Sequence, residues 1–164
     1  MSAKVHSLAS TEVLRARYKP MRVRVLFVGE APPAGGTFFY AGNSQVFRYV
    51  REALQAHLGN PDDFLLAFAE RGYFLDDLVT EPVDQIPRRA RRTIYEQCVP
   101  LLVSRILALR PEVVVSIMMG ISSYVEQAIA DAGTDVRFHS LPFPGTGQQA
   151  NFRRKMAELV PLLP

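Results

Sequence analysis

The feature that most constrains the fold is an uninterrupted apolar run, Val113-Val114-Val115-Ser116-Ile117-Met118, which lies between Pro111 and Gly120. A short continuous run of this kind, bounded by turn residues, is typical of a strand that is buried on both faces. A second strand is predicted over Arg22 to Val28, where the run Val25-Leu26-Phe27-Val28 ends at Gly29 and is typical of a central strand. Both runs favour a sheet that is covered by helices on its two sides.

Apolar residues at helical spacing fill the segments between the strands. Helices are predicted over about 44–58, 62–70, 89–109, 120–133 and 148–160, and two further strands over 73–75 and 135–141. The alternation of strands and helices predicts an α/β fold, a three-layer α/β/α sandwich around a four-stranded parallel sheet.

With 164 residues and 48% hydrophobic content, the chain is long enough for one buried core. We expect a single domain over residues 1–164, in which residues 1–20 form an N-terminal leader that is helical from Thr11 to Tyr18 and packs on the rest. The single cysteine, Cys98, excludes an intrachain disulfide framework, and its place in an apolar helical pattern predicts a core residue.

No apolar run approaches the length of a membrane span, and the first ten residues do not resemble a signal peptide. We therefore expect a cytoplasmic protein without a membrane partner. Parallel sheets bind ligands at the carboxyl ends of their strands, which selects the loops 29–40, 76–82 and 141–147. The first of these begins with Gly29-Glu30-Ala31-Pro32-Pro33 and is the predicted centre of the ligand site.

The loop Gly29-Glu30-Ala31-Pro32, with the aromatic run Phe38-Phe39-Tyr40 and the helix that starts at Asn43-Ser44, resembles the first motif of the uracil-DNA glycosylase superfamily. The segment from Cys98 through Arg110-Pro111 to Val113-Val114-Val115 is similar to the thermophilic, iron–sulfur branch of that family. Pro142-Phe143-Pro144 falls where its His-Pro-Ser-Pro loop belongs. The resemblance covers most of residues 22–160.

The resemblance implies roles for individual residues. Glu30 would orient and deprotonate the attacking water, although a loop carboxylate can also simply cap a neighbouring backbone. Tyr40 would stack on the extruded base, with Phe38 or Phe39 as alternatives. Asp76 stands where the family has the asparagine that pairs with uracil; it could instead cap a loop or pair with an arginine such as Arg88 or Arg89.

The remaining implied contacts lie near the end of the chain. Gly29, Ala31 and Pro32 would contact the substrate together with Phe143, Pro144 and Gly145, and Phe143 would wedge into the duplex. Arg153 and Arg154 would contact DNA phosphates. A second basic group, Arg88, Arg89, Arg91 and Arg92, could also contact phosphate or form a solvated helix face.

Four departures from the family limit these expectations. The cluster cysteines are absent apart from Cys98, so no iron–sulfur cluster, and no other cofactor or metal, is expected. Leu141 replaces the catalytic histidine, and His139, two residues earlier, is a weak substitute. Pro33 replaces a second glycine and removes a backbone N–H. An ionised Asp76 would repel O4 of uracil and favour a base with an exocyclic amino group.

The sequence therefore predicts a monomeric enzyme that excises a modified or mismatched base from single- or double-stranded DNA and acts weakly on uracil. The alternative is a non-catalytic nucleic-acid or damaged-base binding protein of the same fold. A third hypothesis, a metal-dependent phosphohydrolase that uses Asp76 and Asp77, is weaker because adjacent strand residues point to opposite faces.

Overall fold

The computed structural model of the protein describes residues 8–164, in which six α-helices alternate with four strands. The elements in chain order are α1 (Leu8–Arg17), β1 (Val25–Gly29), α2 (Gln45–Leu54), α3 (Phe64–Glu70), β2 (Tyr73–Asp77), α4 (Arg88–Leu109), β3 (Val113–Ile117), α5 (Ser122–Ala132), β4 (Arg137–Leu141) and α6 (Gln149–Leu159). Single 3-10 turns occur at Phe39–Ala41, Met119–Ile121 and Val160–Leu162.

The four strands form one parallel sheet in the order β2-β1-β3-β4. Val25 of β1 lies opposite Tyr73 of β2 on one side and Val113 of β3 on the other. All five residues of β3 are buried, as are the four apolar residues of β1, because helices cover both faces of these central strands. The predicted α/β architecture with a four-stranded parallel sheet is confirmed.

Helices pack in pairs beside the sheet: α4 against α5, and α2 against α6. The buried apolar side chains form one contiguous core, to which Phe27, Phe68 and Tyr73 contribute mutually packed rings. Cys98 lies in this core, which confirms its predicted structural place. Within residues 8–164, none of the helices has both the length and the apolar character needed to cross a bilayer.

Several element boundaries differ from the predictions; strand β1 begins at Val25 rather than Arg22, and β2 extends to Asp77. Helix α2 ends at Leu54 rather than near Leu58, because the chain leaves the helix and reaches left-handed conformations at Gly59 and Asn60. Strand β4 begins at Arg137 rather than Asp135, because its pairing with β3 begins at the partner of Val113. Helix α1 starts earlier than predicted, at Leu8, and the rest of the predicted leader, residues 1–7, lies outside the described part of the chain.

Candidate functional site

A cavity of about 290 Å³ lies at the carboxyl ends of β1 and β2, where the topology of a parallel sheet places ligand sites. Its walls come from Gly29, Glu30, Ala31, Pro33, Thr37, Phe38, Phe39, residues 44–46, Leu75, Asp77, Asp84, Ile117 and Phe143. This volume is close to the lower end of the range for small-molecule pockets. The loop predicted from the sequence, with Glu30 in it, forms one side of this cavity.

Two side chains of α4 hold the Glu30 carboxylate. Arg91 Nη1 donates to Glu30 Oε1 at 2.8 Å, and the hydroxyl of Tyr95, one helical turn further on, donates to the same oxygen. Burial and the neighbouring Glu30 charge raise the pKa of Tyr95 to about 12, so its hydroxyl keeps the proton that it donates. Both contacts use Oε1, which leaves Oε2 available to a ligand or a water molecule.

Asp77 supplies a second carboxylate to the cavity. Its Oδ2 accepts a hydrogen bond from Arg15 Nη2 at 2.8 Å, while Oδ1 faces Gly29, its register partner on β1. A Cβ atom at position 29 would lie 2.6 Å from Oδ1, so the close approach requires glycine there. Burial raises the pKa of Asp77 from its usual 3.8 to about 6, against the opposing effect of Arg15.

Asp76 does not face this cavity. Its side chain lies on the opposite side of β2, where Oδ1 is 3.1 Å from Arg15 Nη1 and Oδ2 accepts from Arg105 Nη1 at 2.7 Å. Successive residues of a strand point to opposite faces, and Asp77 rather than Asp76 lines the cavity. Asp76 does pair with arginines, although these are Arg15 and Arg105 rather than Arg88 or Arg89.

Tyr40 is a core residue rather than a wall of the cavity. It is only 2% exposed, and its ring stacks on Tyr18 with centroids 5.8 Å apart. Its hydroxyl donates to the Leu75 carbonyl at 2.8 Å and accepts from the Leu75 N–H at 2.7 Å. It therefore provides hydrogen-bond partners for both backbone groups of Leu75 at the outer edge of β2. Tyr40 therefore presents no free ring face to the cavity.

Phe38 and Phe39, the alternatives to Tyr40, do line the cavity, although their side chains are themselves buried. The Phe38 N–H donates to Asn43 Oδ1 at 2.8 Å, and Asn43 Nδ2 donates to the Gly36 carbonyl at 3.1 Å, which closes the loop that carries these rings. Arg15 lies over the Phe38 ring at 5.3 Å. The aromatic wall is thus tied to the Asp77 carboxylate through Arg15.

Phe143 is 42% exposed and forms part of the cavity wall, in the loop after β4. Pro144 is buried beside it, and the Gly145 N–H donates to the Phe143 carbonyl at 2.8 Å. Neither Pro144 nor Gly145 lines the cavity; they shape the turn that presents Phe143. Pro32 is likewise buried behind the first loop, whereas its neighbours Ala31 and Pro33 face the cavity.

The remaining predicted residues do not reach the cavity. Leu141, which the resemblance aligns with a catalytic histidine, is 1% exposed, and His139 lies in the edge strand β4, where it pairs in register with Val115. Arg153 and Arg154 lie on the surface of α6, where Arg153 pairs with Glu52 at 2.7 Å and Arg154 with Glu158 at 2.9 Å. Their charges are therefore partly neutralised by carboxylates of the chain.

No side chain among the cavity residues that the structure describes is a lysine, arginine or histidine. Its polar groups are the carboxylates of Glu30, Asp77 and Asp84 and the side chains of Thr37, Ser44 and Gln45. In residues 8–164, no group of three or more histidine, cysteine and acidic side chains lies close enough together to hold a metal ion. The cavity can accept hydrogen bonds and stabilise positive charge.

Sequence reasoning named Asp77 only as a metal ligand of a phosphohydrolase and Arg91 only as a phosphate contact, and it missed Tyr95 altogether. The strand alternation contains the signal for Asp77, since Asp76 and Asp77 must face opposite sides of β2 and only one can face the cavity. For Arg91 and Tyr95 there was no such signal, because their contacts with Glu30 join residues 61 and 65 positions apart in the chain.

The site is thus a cavity with an aromatic wall and carboxylates that α1 and α4 hold in place. Neither a scan against models of protein families nor a search of curated proteins finds a match for this chain.

Proposed function

We propose that the protein excises a modified or mismatched base from DNA by hydrolysis of the N-glycosidic bond, as a divergent member of the uracil-DNA glycosylase superfamily. The observation that carries this proposal is the pairing of two carboxylates of different environment, Glu30 and Asp77, in one cavity with an aromatic wall. In this proposal Glu30 acts on water and Asp77 holds the base.

In the proposed reaction the target nucleotide is extruded from the stack and its base enters the cavity. Glu30 Oε2 accepts a proton from a water molecule, the water oxygen bonds to C1′, and the C1′–N bond breaks with its electron pair going to the base. The negative charge of Glu30 also favours the cationic sugar of the transition state. Arg91 and Tyr95 hold the other carboxylate oxygen and so fix its direction.

Asp77 is the proposed base-binding group. Arg15 occupies Oδ2, so Oδ1 is the acceptor that can receive an N–H of the base. An ionised carboxylate repels a carbonyl such as O4 of uracil, whereas an exocyclic amino group suits it. The Phe38 and Phe39 rings supply the apolar surface against which the base lies, and a stacked base is worth roughly 1–3 kcal/mol.

The leaving group sets a further preference. A base that departs as an anion needs a positive group beside it, and the described residues of the cavity wall include none. An N-alkylated purine carries a positive charge in the nucleotide and departs neutral, so it needs no such group. We therefore expect alkylated bases to be released faster than uracil.

One observation favours a second candidate function, a base-binding protein without catalysis. Leu141, which the resemblance aligns with a catalytic histidine, is buried, and His139 lies in the edge strand β4. Such a protein would keep the cavity and bind damaged DNA without releasing the base. Binding that is unchanged by Glu30→Gln, with no abasic product, would favour this candidate.

The test is an assay for abasic sites on oligonucleotides that carry a panel of bases: uracil, deaminated bases, mismatched cytosine and N-alkylated purines. We expect release of at least one base other than uracil, slowed roughly 10²- to 10⁴-fold by Glu30→Gln, the scale of general base catalysis. Glu52→Gln, which removes the same charge from an exposed pair with Arg153, is the matched control. Absence of release across the whole panel would refute the enzymatic proposal.

A further inference from the structure

Four arginines crowd the first turn and a half of α4: Arg88, Arg89, Arg91 and Arg92. The first turn of this helix contains no acidic residue. The amino end of a helix carries partial positive charge, so this is the position where cationic side chains are least favourable. Local arrangements that oppose stability in this way are expected where a surface serves a ligand.

The four arginines differ in what they contact. Arg91 binds Glu30, and Arg92 pairs with Glu96 at 3.0 Å on the helix surface. Arg88 and Arg89 are exposed and have no hydrogen-bond or ion-pair partner within residues 8–164. By contrast, the other basic group, Arg153 and Arg154, has a carboxylate partner for each guanidinium.

Arg88 also lies near the cavity, and Arg89 is its neighbour in the chain. Helix α4 follows β2, so it begins at the carboxyl edge of the sheet, where the cavity opens. Arg88 precedes Arg91 by three positions and shares its side of the helix, and Arg91 touches the cavity carboxylate Glu30 at 2.8 Å. About 4.5 Å along the helix axis, slightly less than one turn, therefore separates Arg88 from a residue in contact with the site.

We propose that Arg88 and Arg89 bind the phosphates of the DNA strand beside the extruded nucleotide. The inference rests on the proposed function, since it assumes that the cavity receives a base still joined to DNA. Guanidinium groups form paired hydrogen bonds with phosphate oxygens, and these two are free to do so without breaking a contact inside the protein. Arg153 and Arg154 would first have to leave Glu52 and Glu158.

The experiment measures the affinity of the full chain for fluorescein-labelled oligonucleotides, single-stranded and duplex, as a function of salt concentration. The test variant is Arg88→Gln with Arg89→Gln. The matched control is Arg22→Gln with Arg110→Gln, which removes two charges from the opposite edge of the sheet, at the amino ends of β1 and β3. A third variant, Arg153→Gln with Arg154→Gln, tests the other basic group.

Each phosphate contact contributes about 0.9 to the slope of log affinity against log salt on duplex DNA and about 0.7 on a single strand. We expect the test variant to lose about 1.8 from the duplex slope or about 1.4 from the single-strand slope, whichever substrate the protein prefers. On duplex DNA, raising the salt concentration from about 50 to about 200 mM weakens binding of both proteins. The factor by which the affinity falls should be about 12 times smaller for the test variant than for the unmodified protein. The control should keep the original slope.

The outcomes separate this inference from the proposed function. Base release combined with an unchanged slope in the test variant would overturn the inference and leave the glycosylase proposal standing. Loss of slope in the test variant without base release by any form of the protein would support the phosphate site and count against the enzyme. A slope that falls only in the Arg153 and Arg154 variant, or equally in the control, would also overturn the inference.

Discussion

At the scale of single residues, Asp76 and Asp77 are adjacent in β2 but have different contacts, because their side chains point to opposite faces of the strand. Both carry the same charge and follow one another in the chain, yet Asp76 lies between Arg15 and Arg105 while Asp77 presents one oxygen to the cavity. The pleat of β2 alone makes this division. Asp77 also approaches β1 so closely that its partner must be Gly29.

The buried position of Asp77 predicts a pH dependence of stability. Its pKa is raised from 3.8 to about 6, so a proton on Asp77 stabilises the folded state, and this contribution is lost as the pH rises through about 6. As the pH rises from 3.8 to about 6, we expect the free energy of unfolding of the unmodified protein to fall relative to that of Asp77→Asn. Urea denaturation at a series of pH values measures this difference.

Asp76→Asn serves as the control, because it makes the same substitution at the neighbouring carboxyl. A constant difference between the unmodified protein and Asp77→Asn over the whole pH range would contradict the prediction.

At the scale of elements, α4 does more than cover the sheet. Its helical spacing places Arg91 and Tyr95 one turn apart, so both side chains reach the same oxygen of Glu30. Arg91 is in turn held by the Ile86 carbonyl, to which its Nε donates at 2.8 Å. Helix α4 thereby orients the carboxylate of Glu30, which lies on the loop after β1.

Arg91 and Tyr95 are therefore positioning residues for Glu30. We expect Arg91→Gln to slow base release by about 10²-fold, the scale of misplacing a catalytic group by about 1 Å, while the affinity for substrate changes little. Arg91→Lys should restore part of the rate because it keeps the charge. Single-turnover release and equilibrium binding, measured separately, distinguish the two effects.

Arg92→Gln is the matched variant, since Arg92 is adjacent, exposed and paired with Glu96. A rate lost equally in Arg92→Gln, or an Arg91→Gln effect confined to binding, would rule out the positioning role.

At the scale of the whole molecule, one ion-pair network joins the first helix to the cavity. Arg15 of α1 binds Asp77 and Asp76, donates to the Leu75 carbonyl at 3.2 Å and covers the Phe38 ring. The predicted leader is thus an integral part of the site, since its arginine holds one carboxylate of the cavity and supports its aromatic wall. Arg15 is 6% exposed, so this network is largely removed from solvent.

Removal of Arg15 should destabilise the fold strongly, because it leaves the Asp77 carboxylate without its ion-pair partner in a poorly solvated place, while Asp76 keeps only Arg105. We expect Arg15→Ala to lower the free energy of unfolding by roughly 3–5 kcal/mol above pH 6, the usual effect of breaking a buried ion pair. The loss should be smaller at lower pH, where a proton on Asp77 replaces the arginine. Chemical denaturation of both proteins above and below pH 6 measures this loss of free energy of unfolding.

Arg153→Ala provides the comparison, since its pair with Glu52 is about half exposed on both sides and is worth about 0–1 kcal/mol. Equal effects of Arg15→Ala and Arg153→Ala would show that the network does not hold α1.

Much of the architecture was predictable from local patterns. The continuous apolar runs at β1 and β3 appear in the sequence because both faces of a central strand must be apolar, and the helical spacing of α4 has the same origin in its buried face. Glu30 was also predictable as a cavity residue, because the carboxyl end of a parallel strand is where the sheet leaves room for a ligand. These features depend on residues close together in the chain.

The partners inside the site were decided only by tertiary structure. Whether Asp76 or Asp77 faces the cavity depends on how β2 is set against β1 and the helices. Whether Tyr40 or Phe38 lines it depends on where Leu75 offers an unpaired strand edge. The arginines that hold the carboxylates come from α1 and α4, 62 and 61 residues away in the chain, respectively. By itself the sequence determined the layers of the fold and the loop that carries Glu30. The packing of distant elements decided which side chains meet at that loop. Strand direction and helix docking set those contacts, and neither leaves a local pattern in the sequence.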